Sequence, residues 1–455
     1  MKILILSIYI FFFSYAGKAQ IPSNFDSLKI YPFKKISWKQ YNWRELRPIT
    51  SLFKNNNIVV ISDASHYEGG VKDAQSMILK GLIDSNLINT IYLEASWIDM
   101  NKIQSILKEK GRAGIEEVMK YFGSKALEYW LDDGFLNYLA DQVKMGKIRL
   151  VGFDIAGTSS YRTYQMFKEA YEFPAVRKMI TSAPYELKII RDQYLFFNFE
   201  QKPTLRFPKD NLDLQKAFID VVKNEYSGVK DTVRYKEWER MLNFFEWHYK
   251  SQFYIKDISK EDIELDADLI ISSKYHAYRD SMMSEILKED YKSFGNVKAV
   301  AIMGGYHTLS NFKESENIEK YIVANGVETL VSLLKKGLDS ITAISFISSS
   351  GSFGVYNDGK KQFEHKIKVY KTSIEEYYQN DPRDFFYIDL QKYPASESFI
   401  SSLLFKRPFL AQWAKIYQGL FYIKNMYPIQ LKIHPGIITP IDDTVDKDII
   451  EAQHK

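Results

Sequence analysis

The segment Ile58-Val59-Val60-Ile61-Ser62-Asp63-Ala64-Ser65-His66-Tyr67-Glu68-Gly69-Gly70 decides the fold. Four consecutive β-branched apolar residues with no polar alternation read as a strand buried on both faces. A short polar loop follows, and then Val71, Ala74, Met77, Ile78 and Leu82 recur at helical spacing. Similar short apolar runs return at Thr90 to Leu93, Ile148 to Phe153, Val297 to Met303, Ile341 to Ile347 and Phe385 to Leu390. Strand, helix and strand in this order predict an α/β fold: a mainly parallel central sheet with right-handed crossovers and flanking helices.

Between Tyr161 and Tyr291 the strand pattern stops and the text becomes charged, aromatic and helix-like, as in Tyr235 to Tyr249. This predicts a helical insertion over about 161–291, with Gln201 to Asp210, carrying Pro203 and Pro208, as a loop between two helical hairpins. At the other extreme, Ile3 to Tyr15 is apolar and Ala16-Gly17-Lys18-Ala19-Gln20 supplies small residues at the right place, the pattern of a signal peptide over 1–19. The run is short of the ~20 apolar residues that span a bilayer, so an exported, periplasmic or extracellular protein is expected, with no stable membrane anchor.

Cysteine is absent, which excludes a disulfide framework and a thiol nucleophile. Without Lys2 and Lys18 the 61 Lys plus Arg become 59, against 57 Asp plus Glu, so no basic surface for nucleic acid is expected. The expected partner is a small-molecule substrate; the oligomeric state stays open. Residues 20–455 read as one large α/β domain carrying the insertion, although about 435 residues would also suit two or three average domains.

In a parallel sheet, ligands bind beyond the carboxyl ends of the strands. There the first strand gives Asp63 and then His66, the second Glu94-Ala95-Ser96-Trp97, the third Asp154, and the fourth Gly304-Gly305-Tyr306-His307. Strands have no structural need to end repeatedly on titratable residues, so Asp63, His66, Glu94 and His307 are the candidate catalytic set. Asp63 and Asp154 also suit a turn or helix cap, and Asp154 an ion pair. Two imidazoles and two carboxylates can serve general base catalysis or hold a divalent metal, and both chemistries fit this donor set. No G-x-S-x-G elbow and no HExxH occurs. Ser348 to Gly354 reads as a loop that could hold an anion on its amides. His248 and His276 fall within helical text as partly buried or surface positions, and His365, His434 and His454 carry no partner pattern.

These segments resemble the erythromycin esterase family. The family's Gly-Glu-x-Thr-His-Gly is matched by Ser62 to Tyr67, its Glu-Ala-Asp-Trp by Glu94-Ala95-Ser96-Trp97, its tryptophan helix by Trp130, and its Gly-Phe-Asp by Gly152-Phe153-Asp154. Its Arg-Asp-x-x-Met is similar to Arg279-Asp280-Ser281-Met282-Met283, and its His-Asn-x-His is matched in part by Gly304 to His307. The likeness runs from about Ile58 to Gly359 and continues faintly through Tyr417 to Tyr422. The resemblance implies water activated by His66, Glu94, His307 and Asp63 against an ester or lactone, with no serine nucleophile and no required cofactor. Arg279, Asp154 and Trp97 would contact substrate, with a salt bridge as the alternative use of Arg279. The departures are Asp63 for Glu, Tyr67 for Gly, Ser96 for Asp, and Gly304-Gly305 for His-Asn. They raise an alternative: a noncatalytic or metal- or haem-binding protein of the same fold, akin to ChaN-type proteins.

Overall fold

A computed structural model describes residues 25–63, 66–122, 133–155, 162, 166, 169–182, 209–228, 233–243, 267–295, 297–309, 328–338, 340–357, 359–404 and 407–431. The leader, Trp130, His248, His434, His454 and the loop 201–208 lie outside them, as does the side chain of His276.

An eight-stranded sheet forms the centre. In chain order its strands are β1 (Lys29–Pro32), β2 (Ile58–Asp63), β3 (Thr90–Ser96), β4 (Arg149–Asp154), β5 (Ala299–Gly304), β6 (Ile341–Ile347), β9 (Phe385–Asp389) and β12 (Gly419–Ile423), and in space they run β1-β9-β12-β6-β2-β5-β3-β4. From β12 to β4 every neighbouring pair is parallel. Only the β9 and β12 pair and the β1 and β9 pair are antiparallel. The β-branched run of the opening segment explains its central place: Ile58, Val59, Val60 and Ile61 are each 0% exposed. Their side chains divide by parity, Ile58 and Val60 entering one apolar cluster and Val59 and Ile61 the other. The sheet is therefore covered on both faces, as a parallel sheet requires.

One face is built from the helices α1 (Gly69–Asp84), α2 (Trp97–Lys110) and α3 (Asp133–Lys144), whose Met77, Ile103 and Leu139 share a cluster with Val59. The other face receives α4 (Ala267–Phe294) and α5 (Leu330–Lys335), through Met283, Leu287 and Leu334. Within 161–291 the described regular segments are helical: Pro174–Ser182, Lys209–Ser227, 233–243 and α4.

All six predicted strands are present. The stretch Ser348 to Gly354, expected to be a loop, instead enters a strand, β7 (Ser350–Asn357). It forms a hairpin with β8 (Lys360–Lys366) and is joined in parallel by β13 (Asn425–Met426) and β14 (Ile429–Leu431). Its glycines admit backbone: a Cβ on Gly354 would lie 2.2 Å from the Phe363 carbonyl oxygen. The amides of β7 are thus committed to a small second sheet. A separate antiparallel hairpin pairs β10 (Phe399–Leu404) with β11 (Arg407–Ala411).

Candidate functional site

β2 and β5 are neighbours in register, with Asp63 opposite Gly304, and β3 flanks β5 on its other side. After β2 the chain moves past β5 to form β3, and after β5 it moves past β2 to form β6. The first connection runs through α1 on one face and the second through α5 on the other. The chain therefore leaves β2 and β5 toward opposite faces, the arrangement that makes a crevice at strand carboxyl ends.

Glu94 reaches this crevice through a bulge. The β3 and β4 register shifts between Leu93 and Ser96, so that Ser96 rather than Ala95 stands opposite Asp154. One extra residue re-aims the strand end. Gly152 makes room for it, since a Cβ there would lie 2.6 Å from the carbonyl oxygens of both Ala95 and Ser96. The Gly-Phe-Asp signature therefore serves the neighbouring strand. Ser96, standing where the family has Asp, caps α2 by accepting the Asp99 N–H at 3.3 Å. Tyr67 packs edge-on to Phe363 with ring centres 5.0 Å apart, tying the loop after β2 to the second sheet.

Arg279, in the middle of α4, organises the larger of two polar groups. Its Nε donates to Asp154 Oδ1 at 2.9 Å and its Nη2 to Asp154 Oδ2 at 2.6 Å, a bidentate fork. Nη2 also donates to Glu94 Oε1 at 2.8 Å. Glu94 Oε1 lies 3.1 Å from His307 Nε2, and Glu94 Oε2 accepts the Gly304 N–H at 2.7 Å. His307 Nδ1 donates to Asp280 Oδ1 at 2.5 Å, and Asp280 Oδ2 accepts the Leu330 N–H of α5 at 2.9 Å. Asp154, Glu94, Arg279, Asp280 and His307 are all buried.

Charges in such a place must neutralise one another. Burial works against a charge on His307, but Asp280 and Glu94 on either side outweigh it and push its pKa up to about 10. Burial likewise opposes the Glu94 carboxylate, yet His307 and Arg279 hold it well below the usual carboxylate range. With His307 an imidazolium, its Nε2–H donates to Glu94. The 3.3 Å approach of Arg279 Nη1 to that nitrogen is then a contact between two donors and adds no hydrogen bond. The turn that carries His307 is pinned from below, where Thr308 Oγ1 donates to the Gly305 carbonyl at 2.7 Å and meets the Tyr417 hydroxyl at 2.7 Å.

The smaller group is Asp63 with His66. His66 Nδ1 pairs with Asp63 Oδ2 at 2.8 Å, and the side chain of His66 is 34% exposed against 5% for Asp63. His66 adopts φ of 58°, a left-handed conformation in which histidine is enriched. Burial of the ring opposes its charge, but the Asp63 carboxylate, by charge and hydrogen bond, raises the His66 pKa above its ordinary value, with help from Glu94 and against His307. Asp63 Oδ1 is buried and has no hydrogen-bond partner among the described residues.

The two groups meet at Gly304. A Cβ built there would lie 3.0 Å from His66 Cε1, 3.2 Å from His66 Nε2 and 3.4 Å from Glu94 Oε2. The structure thus brings together Asp63, His66, Glu94, Asp154, Arg279 and His307. Arg279 makes the salt bridge given as its alternative use, and Asp154 makes the ion pair. Trp97 opens α2 outside this network, with the Arg240 guanidinium 5.7 Å from its ring centre. Asp280 was missed by sequence reasoning, although it lies inside a quoted motif; its partner His307 is 27 residues away. His365 packs against the rings of Phe353 and Phe363, with ring centres 5.5 and 5.7 Å away.

No family model matches the chain, and no curated protein matches it in sequence. Solved structures do match it. A Bacillus cereus protein aligns over 90% of this chain and 98% of its own, at 15% identity and a TM-score of 0.57. A succinoglycan biosynthesis protein aligns over 91% and 98%, at 14% identity and a TM-score of 0.60. A mutant of the erythromycin esterase EreC in its open conformation aligns over 87% and 97%, at 10% identity and a TM-score of 0.60. The chain therefore has a divergent erythromycin-esterase-like α/β fold. A haem-binding ChaN of Campylobacter jejuni superposes with a TM-score of 0.27, too low to carry an argument.

Proposed function

We propose that this chain is an exported hydrolase in which His66 activates water for attack on an ester or lactone, without a serine nucleophile, a metal or a cofactor. The observation that carries this reading is the 2.8 Å bond from His66 Nδ1 to Asp63 on a side chain that is still 34% exposed. A general base must change protonation state near working pH and must reach solvent. His307 fails the first condition, with a pKa of about 10. Glu94 accepts bonds from Arg279 and from the Gly304 N–H and is held ionised. His66 is left as the base.

With Nδ1–H donated to Asp63, Nε2 takes the proton as the water oxygen bonds to the carbonyl carbon. It returns that proton to the departing alkoxide as the carbon–oxygen bond breaks. The metal-free route rests on Arg279, whose guanidinium already occupies the space between Glu94 and Asp154. Export rests on the leader pattern at Ile3 to Gln20. No helix among the described residues is long and apolar enough to cross a membrane.

The test is turnover of a panel of esters and lactones by the purified mature protein. The wild type hydrolyses at least one of them, and His66→Ala lowers kcat/KM by about 10²–10⁴-fold. Full activity in His66→Ala contradicts the assignment.

A further inference from the structure

Glycine at the end of a strand calls for a reason, and at position 304 the backbone does not supply one. Gly304 has φ of −63° and ψ of 150°, an extended conformation open to any residue. What distinguishes the position is space. The His66 ring lies where a side chain at 304 would begin, with Cε1 at 3.0 Å and Nε2 at 3.2 Å from an ideal Cβ, closer than ordinary van der Waals contact. The ring has little freedom to yield, because Nδ1 is tied to Asp63 and the residue holds a left-handed φ. On the other side stands Glu94, whose Oε2 is bound to the Gly304 N–H.

We propose that Gly304 is a positioning residue for His66: the missing side chain at the end of β5 lets the imidazole lie across the strand end, beside Glu94, while keeping its bond to Asp63. Its catalytic meaning rests on the assignment of His66 as the base. On this view Gly304, where the resembling family carries an imidazole, is a requirement of the arrangement found here. A side chain of any size displaces the one exposed base.

A double-mutant cycle over Gly304→Ala and His66→Ala, read by thermal midpoint, tests the packing directly. Gly304→Ala is expected to lower the midpoint in the wild-type background and to change it little in the His66→Ala background, since the remaining contact with Glu94 Oε2, at 3.4 Å, is ordinary. Ring-selective NMR of Gly304→Ala is expected to show His66 titrating closer to its ordinary value of about 6.5, with kcat/KM about 10²-fold lower. An equal loss of midpoint in both backgrounds, or an unchanged His66 titration in Gly304→Ala, overturns the proposal. If Gly304→Ala alone does not fold, folding of the double variant supports it and failure of both overturns it. Full activity in His66→Ala would remove the hydrolase assignment while leaving the cycle interpretable; an additive cycle with an inactive His66→Ala would remove only the role of Gly304.

Discussion

The two polar groups that meet at Gly304 use their hydrogen-bonding capacity differently. Around Arg279, both oxygens of Asp154, Glu94 and Asp280 and both nitrogens of His307 have partners, and every member is buried. Around His66, one oxygen of Asp63 has no partner among the described residues, and the His66 side chain is about a third exposed. A group whose carboxylates and imidazole are all paired holds its shape. An unsaturated one beside it has capacity to bind and exchange protons. The contrast separates a scaffold from a reacting pair, and it can be broken in several places.

The largest effect is expected from Arg279→Met. It takes the Arg279 counter-charge from buried Asp154 and leaves Glu94 with His307 alone, which should cost about 3–5 kcal/mol, read by chemical denaturation. Unchanged stability would mean that the cluster is not the scaffold. Asp63→Asn should spare most stability but lower kcat/KM by about 10²-fold and move the acid limb of the pH–rate profile downward, because the charge that raises the His66 pKa is gone. A profile that stays in place would detach Asp63 from His66.

The pH dependence of stability follows from His307. Its folded pKa is raised, so its contribution is fully present below about 6.5, the unfolded value, and is lost as pH rises toward about 10. The expected slope in that window is at most ~1.4 kcal/mol per pH unit from this group, and His307→Gln should remove it. The smallest effect is assigned to Ser96→Ala, which loses the cap on α2 for about 1 kcal/mol and should leave kcat/KM nearly unchanged.

Much of this arrangement could be read from the chain alone, for a physical reason. Strands buried on both faces must be apolar along their whole length, so β2 and β6 announce themselves, and a parallel sheet then dictates that their carboxyl ends share one edge. Segments stabilised by pairing rather than by composition were not readable. β1 is an exposed edge strand ending at Pro32, and β7 is rich in serine and glycine. β12 is apolar and buried, but its five residues follow a four-residue helix and precede β13 so closely that the run is not set off as a strand. The site behaved in the same way. Asp63, His66, Glu94 and His307 could be located from their place after strands, whereas the choice of partners depends on which side chains α4 delivers from far along the chain. That choice puts Asp280 on His307 and Arg279 between two acids, so it decides which imidazole can act as a base. The bulge in β3 and the space over Gly304 are likewise properties of neighbouring strands, invisible in either strand alone.

The division between fixed and reacting imidazole is tested most directly by a ring-selective NMR titration of both histidines, assigned with His66→Ala and His307→Gln and set beside the pH–rate profile. The account predicts that His307 keeps its proton up to about pH 10, and that kcat/KM rises as His66 loses its own. An ordinary His307 titration near 6.5 with activity that follows it would contradict the account.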